Sequence, residues 1–349
     1  MKIRWTPGQA NAWHASLPWF VGCNYTPRTA VNQLEMWQAE TFDTTTLEQE
    51  LGWAEAIGFN ALRAYLHDLP WLHDRAGFCG RVETFLDIAG RHGMRVLFTL
   101  FDSCWQPHPR PGPQPAPTPG VHNSGWLQCP GIGVLADPAA FSLREDFVTG
   151  LIARFRDDPR VLLWDLWNEP DNLNTSSIGA NDLAAKSEIV APYLERVFGW
   201  ARAADPAQPL TSGVWLGDWS SDAALKPLER VQLENSDVVS FHCYGPPEEM
   251  AAKIAQLRRY GRPLFCTEYM ARGAGSTFQS ILPVLKANRV AAINWGFVQG
   301  KIQTHLPWDS WQKPYADGRE PEVWHHDVLL PDGTPYLAAE TAFIRGIAR

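Results

Sequence analysis

The sequence lacks several features that would reveal its chemistry at once. No G-x-G-x-x-G follows the first apolar run, and neither a P-loop nor a serine nucleophile elbow appears. An organic cofactor is therefore not expected. The H-x-H and H-E-x-x-H patterns of catalytic zinc are missing too, although histidines stand at 242, 305, 325 and 326, so no resident metal is expected. Positive charge is scarce: 30 Lys and Arg against 38 Asp and Glu leave a net charge of −8 over 349 residues. That balance argues against nucleic acid and against an anionic membrane as partners. No apolar run is long enough to span a bilayer, and the opening MKIRWTPGQANAWHAS lacks the apolar core of a signal peptide. The expected location is the cytoplasm; oligomeric state leaves no signature.

The six cysteines follow no disulfide or metal spacing. Cys23, Cys243 and Cys266 fall in apolar runs, where a thiol acts as a small hydrophobe, whereas Cys79, Cys104 and Cys129 sit in loop-like surroundings where one pair could bridge. Free thiols are the expectation. No internal repeat or linker divides the chain.

What the sequence has in quantity is tryptophan, 17 in all. Indole rings anchor cores, and they also stack on the apolar faces of sugar rings. Short β-rich runs alternate with helical ones. Eight strands are expected at 19–24, 60–65, 95–101, 161–168, 209–214, 237–242, 263–268 and 291–297. The helix over 44–57 puts Leu47, Leu51, Ala54 and Ile57 on one face and stops at Gly58; the helix over 81–92 puts Val82, Phe85, Leu86 and Ala89 on one face and stops at Gly93. Asp137-Pro138 caps a helix reaching about residue 157. This alternation predicts an α/β fold, a single-domain (β/α)8 TIM barrel spanning 1–349. Insertions after strands three and eight, about 102–136 and 299–327, would lie on the face where barrel sites form. The proline-rich part, 106–120, is expected to stand as a stiff wall beside that site.

Two strands end in acids. LLWDLWNEPDN runs through strand four into Asn168, Glu169 and Pro170, and Pro170 ends the pairing because it has no backbone N–H. Alternation puts Leu163, Asp165 and Trp167 on one side, with Glu169 continuing that side. RPLFCTEYMAR ends strand seven at Glu268. Two carboxyl groups facing each other across a barrel mouth suit glycosidic cleavage, in which one protonates the departing oxygen and the other meets the charge at the anomeric carbon.

These motifs resemble the clan of (β/α)8 retaining glycoside hydrolases that includes families 5 and 2, and family 5 most closely. The resemblance implies a carbohydrate substrate, with Glu169 as acid/base, Glu268 as nucleophile and a carboxyl separation of about 5–5.5 Å. Arg63 in NALRAYLH matches the arginine that steadies the nucleophile. His242 and Tyr244 match a His-x-Tyr ending strand six, Asn168 would hold the sugar 2-hydroxyl, and Trp295 would be the aromatic platform. Where family members often carry a histidine near the end of strand three, this chain has Asp102 and Trp105 as candidate sugar contacts. Asn24, Glu35 and Trp37 are further candidates after strand one. The expected activity is a retaining β-glycosidase, exo-acting on short oligosaccharides because the insertions would block one end of the cleft. An endo-acting β-1,4-glycanase is the alternative, followed by a non-catalytic glycan-binding barrel.

Overall fold

A computed structural model describes residues 3–349. Eight parallel strands form one sheet: β1 (Val21–Asn24), β2 (Ala61–Tyr65), β3 (Arg95–Asp102), β4 (Val161–Asn168), β5 (Leu210–Thr211), β6 (Val239–His242), β7 (Leu264–Glu268) and β8 (Ala291–Asn294). They neighbour one another in the order β5-β4-β3-β2-β1-β8-β7-β6. A parallel bridge between Val214 and Phe241 joins the two ends, so the chain is a (β/α)8 barrel.

Inside the barrel, Ala61, Leu97, Leu163, Phe265 and Ile293 fill the layers near the strand N-termini. A helix over Pro7–Ala15 closes that end, started by a Thr6–Gln9 capping box. Its Trp13 stacks on Phe265 with centroids 6.2 Å apart. The outer faces of the strands pack against the helices in a second, larger apolar layer.

Local differences from expectation have identifiable causes. β5 keeps only two ladder residues because side chains satisfy the backbone beyond it: Ser236 Oγ accepts from the Ser212 amide and Gln232 donates to the Gly213 carbonyl. β8 ends at Asn294, since Gly296 turns the chain with a φ of +77°. The expected helix at 81–92 begins earlier, at Asp68, and bends at Asp74; Cys79 lies within it rather than in a loop. Asp137 does cap a helix, but only over Pro138–Ser142, with a second over Glu145–Phe155. All six cysteines are free.

The two long insertions pack on each other over the strand C-termini. Trp105 and Trp311 stack nearly parallel at 5.3 Å, and the Asn123 amide donates to the Ile302 carbonyl at 2.8 Å. The proline-rich stretch does not wall the site. Gly112 and Gln38 exchange hydrogen bonds there, and Pro107 and Pro109 border a separate cavity with Asp68 and Arg144.

Candidate active site

The mouth of the barrel is organised around Arg63, which is fully buried within β2. Its Nε and Nη2 donate to Asp165 Oδ2 at 3.0 and 2.7 Å, and Nη2 also donates to Asn168 Oδ1 at 2.7 Å. Its Nη1 donates to Asn24 Oδ1 at 2.8 Å and to Glu268 Oε1 at 2.9 Å. Nη1 also abuts the Tyr65 hydroxyl. A planar fork of five fixed donors can serve this many acceptors at once, which an ammonium group cannot. The guanidinium thus ties β1, β2, β4 and β7 together beneath the site.

Glu268 accepts from three directions. Arg63 and the Tyr65 hydroxyl, at 2.8 Å, meet Oε1, while the Tyr244 hydroxyl meets Oε2 at 2.7 Å. Burial pushes this carboxyl up, but the positive fields of His242 and Arg63 and the two tyrosine hydrogen bonds outweigh it and hold it below the usual range. An ionised carboxylate aimed into a cavity is poised to attack.

Glu169 reaches the mouth by a different route from simple alternation. Asp165 points inward to Arg63, but Trp167 turns outward to stack on Phe141 and approach Phe101, and Asn168 points inward again. The alternation slips by one residue at the strand end. Glu169 then takes a left-handed φ of +41°, uncommon for a residue with a Cβ, and this swings its carboxyl back over the opening. Its Oε1 lies 2.8 Å from His242 Nδ1, and its Oε2 takes Asn172 Nδ2 at 2.7 Å and the Cys104 thiol at 3.3 Å. His242 Nδ1 is also 3.5 Å from Glu268 Oε2, so it carries its hydrogen between two carboxylates. Ligand atoms of Glu169, His242 and Glu268 all lie within 4.8 Å of one another. One oxygen of each carboxyl group thus approaches the other to within 4.8 Å, the close pairing that a retaining enzyme needs for direct attack on the sugar. The same triad could in principle hold a metal ion, as could His67, Asp68 and Cys129, although Asp68 is already paired with His67 and Arg144.

These groups open into a cavity of about 470 Å³, a volume within the range of small-molecule sites. Asn168, Trp105 and Trp295 line it. Trp295 is held edge-on by Tyr65 and Trp126, each at 5.8 Å. Other sequence candidates lie elsewhere. Trp37 is wholly buried, donates to the Tyr65 carbonyl at 2.7 Å and packs on Phe42, Phe78 and Phe85, so it belongs to the core. Glu35 is engaged by the Val31 amide and by Lys301. Asn24 spends its amide on Arg63 and on the carbonyls of Thr267 and Asn294. Asp102 is buried among the donors Trp126 Nε1, Asn168 Nδ2 and the Cys104 amide, and so supports the wall from behind. Tyr65, Cys104, Asn172 and Trp308 join the site without having been singled out. Tyr65 alone had a sequence signal, being two residues beyond Arg63 on the same face of β2.

A parallel barrel that sets an ionised carboxylate and a second carboxyl group this close at its C-terminal mouth defines a retaining glycoside hydrolase. The chain belongs to glycosyl hydrolase family 5, the Cellulase family, which matches residues 54–301. Among curated proteins it is similar to pig (Sus scrofa) beta-glucuronidase, with 24% identity over 220 residues, 60% of this chain and 30% of that protein. It therefore spans less than a third of that relative's length. Solved structures share the fold across nearly the whole chain. The exo-beta-1,4-mannosidase of Opitutaceae bacterium strain TAV5 superposes with a TM-score of 0.64 at 19% identity, covering 95% of this chain and 59% of that one. A GH5_18 variant from Streptomyces cattleya in complex with Manβ1-4GlcNAc gives 0.62 at 16%, covering 95% and 79%. The beta-mannanase of the blue mussel Mytilus edulis gives 0.59 at 15%, covering 85% and 90%.

Proposed function

We propose that the chain is an exo-acting retaining β-glycosidase that hydrolyses short β-linked oligosaccharides. The observation that carries this reading is the shape of the cavity around Glu169 and Glu268. Trp105, stacked on Trp311 where the two insertions meet, lines one part of the cavity, and we read that junction as the wall that stops the glycan chain. The other side, by Trp215 and the exposed Leu216, is open to a leaving group. In the first step Glu268 attacks the anomeric carbon, the glycosidic C–O bond breaks, and protonated Glu169 gives its proton to the departing oxygen. In the second, Glu169 takes a proton from water as that water attacks the glycosyl–Glu268 ester. Asn168 borders the reacting carbon, where a hydrogen bond to the 2-hydroxyl strengthens in the transition state. Trp295 forms the floor under the ring.

The test is a panel of 4-nitrophenyl α- and β-glycosides, mannosides included because structural neighbours are named for that sugar, assayed with EDTA present. Wild-type protein should cleave a β-glycoside and release the β-anomer first by NMR. Glu268→Ala should lose at least about 10⁴-fold in kcat. Glu169→Ala should lose far more on poor leaving groups than on nitrophenyl ones, and azide should rescue it. Release of internal fragments from a soluble mannan or glucan, rather than single terminal sugars, would make the enzyme endo-acting. Retained activity in both alanine variants would refute the assignment.

A further inference from the structure

The wall of the same cavity contains a buried polar side chain without a partner. Asn123 is wholly buried and lines the cavity, yet neither its Oδ1 nor its Nδ2 has a partner. Leaving a buried amide unpaired costs several kcal/mol at most sites, so such groups are rare without a ligand or water to receive them. Its placement is enforced. The backbone holds a left-handed φ of +50°, the amide donates to the Ile302 carbonyl, and the carbonyl accepts from Trp126. The preceding residue is fixed as firmly: the His122 amide donates to Ser310 Oγ at 2.9 Å, and its Nδ1 meets the Leu306 carbonyl at 2.8 Å. A carbonyl can only accept, so Nδ1 carries the hydrogen and Nε2 keeps a bare lone pair. Burial pushes this imidazole down to about 3, so it remains neutral at working pH. His122 also lines the cavity.

From these observations we infer that His122 and Asn123 select the glycone, reading ring hydroxyls remote from the anomeric carbon and admitting a neutral sugar. The amide offers one acceptor and one donor side by side, which matches a pair of neighbouring hydroxyls, and His122 Nε2 offers a further acceptor. The Asn123 carbonyl is bonded to Trp126, whose ring meets Trp295 at 5.8 Å, and His122 packs by Trp105 at 5.9 Å, so the dipeptide shares the aromatic wall on which a sugar ring would rest, and no hydrogen bond joins it to Glu169 or Glu268. The charge of the wall decides against a uronic acid. Among the described residues lining the cavity there is no lysine or arginine, whereas Glu169, Glu249 and Glu268 are all present. A sugar carboxylate at the Asn123 wall would lose its hydration and find no lysine or arginine to pair with.

This inference rests on the cavity being the sugar site, and the experiment separates the two. The full chain is assayed on 4-nitrophenyl β-glucoside, β-mannoside, β-galactoside and β-glucuronide, and then on monodeoxy analogues of the best of these. Asn123→Gly removes the amide while allowing the positive φ, and Asn123→Asp keeps size and φ as a second variant. Wild type should prefer a neutral glycoside and lose about 10- to 100-fold in kcat/KM on deletion of one remote hydroxyl. In Asn123→Gly that particular penalty should vanish, while the parent substrate suffers a comparable loss. A glucuronide cleaved as well as the neutral sugars would overturn the inference. So would an Asn123→Gly variant that loses one common factor on parent and deoxy substrates alike, as a purely structural role predicts. Glu268-dependent turnover with an unchanged deoxy profile defeats this inference alone. Absence of any Glu268-dependent turnover defeats the proposed function with it.

Discussion

The thiol of Cys104 lies 3.3 Å from Oε2 of Glu169, the oxygen that does not face His242. The acid is therefore held from both ends, by an imidazole on one oxygen and by Asn172 and a thiol on the other. Cys104→Ala should leave the fold intact and lower kcat/KM by about two- to fivefold, since a thiol is a weak donor and Asn172 remains. The loss should be larger for poor leaving groups. A loss equal to that of Glu169→Ala would mean that the thiol does more than orient the acid.

Tyr244 donates to Glu268 at 2.7 Å, and this bond helps keep that carboxyl below the usual range. The nucleophile works ionised, so activity should hold until the pH falls below the ordinary glutamate region near 4.3. Tyr244→Phe removes a donor that favours the charged form, so the pKa rises. The acid limb of the kcat/KM profile should move to higher pH in the variant. An unmoved limb with a lowered plateau would contradict this account.

Stability should respond to pH through groups with opposite signs. Burial pushes Asp102 up to about 6 against the hydrogen bonds from Trp126 and Asn168, and it pushes Asp327 up to about 6 as well. Between an unfolded value near 4 and these folded values the native state binds the extra protons, so these two groups cost stability as pH rises across that window. Asp68, held down to about 2 because His67 and Arg144 overcome its burial, has the reverse effect. Its contribution is present above about 4 and is lost as pH falls toward 2. Asp102→Asn should flatten the decline in urea midpoint between pH 4 and 6, whatever its offset at one pH. An unchanged slope would show that Asp102 does not titrate there.

Trp37 should matter for stability and not for substrate. Its indole N–H is spent on the Tyr65 carbonyl and its ring on three phenylalanines. Trp37→Phe should cost about 1–3 kcal/mol of unfolding free energy through the lost hydrogen bond and a small void. KM should stay unchanged. A raised KM with normal stability would return Trp37 to the sugar site.

The sequence by itself determined the barrel, the ends of strands four, six and seven, and the two carboxyl groups that stand there. These depend on short-range rules: an apolar run of strand length, a proline or glycine that stops it, and a polar residue just past the stop. Asn168, Glu169, His242, Tyr244, Glu268 and Trp295 sit at or just past such ends and line one mouth, while Arg63, within β2, underpins it. Only the tertiary structure decided the rest. Trp37 and Trp105 look alike in sequence, each following a strand, yet one is core and the other cavity wall, because contacts with distant residues settle where a large ring goes. The local slip at Trp167 could not be read from alternation either; the partners that draw Trp167 outward, Phe101 and Phe141, come from elsewhere in the chain. Asn123 is the clearest case. Nothing near it in sequence announces a binding residue, and its exposure to the cavity exists only because the two insertions, nearly 180 residues apart, hold each other's backbones.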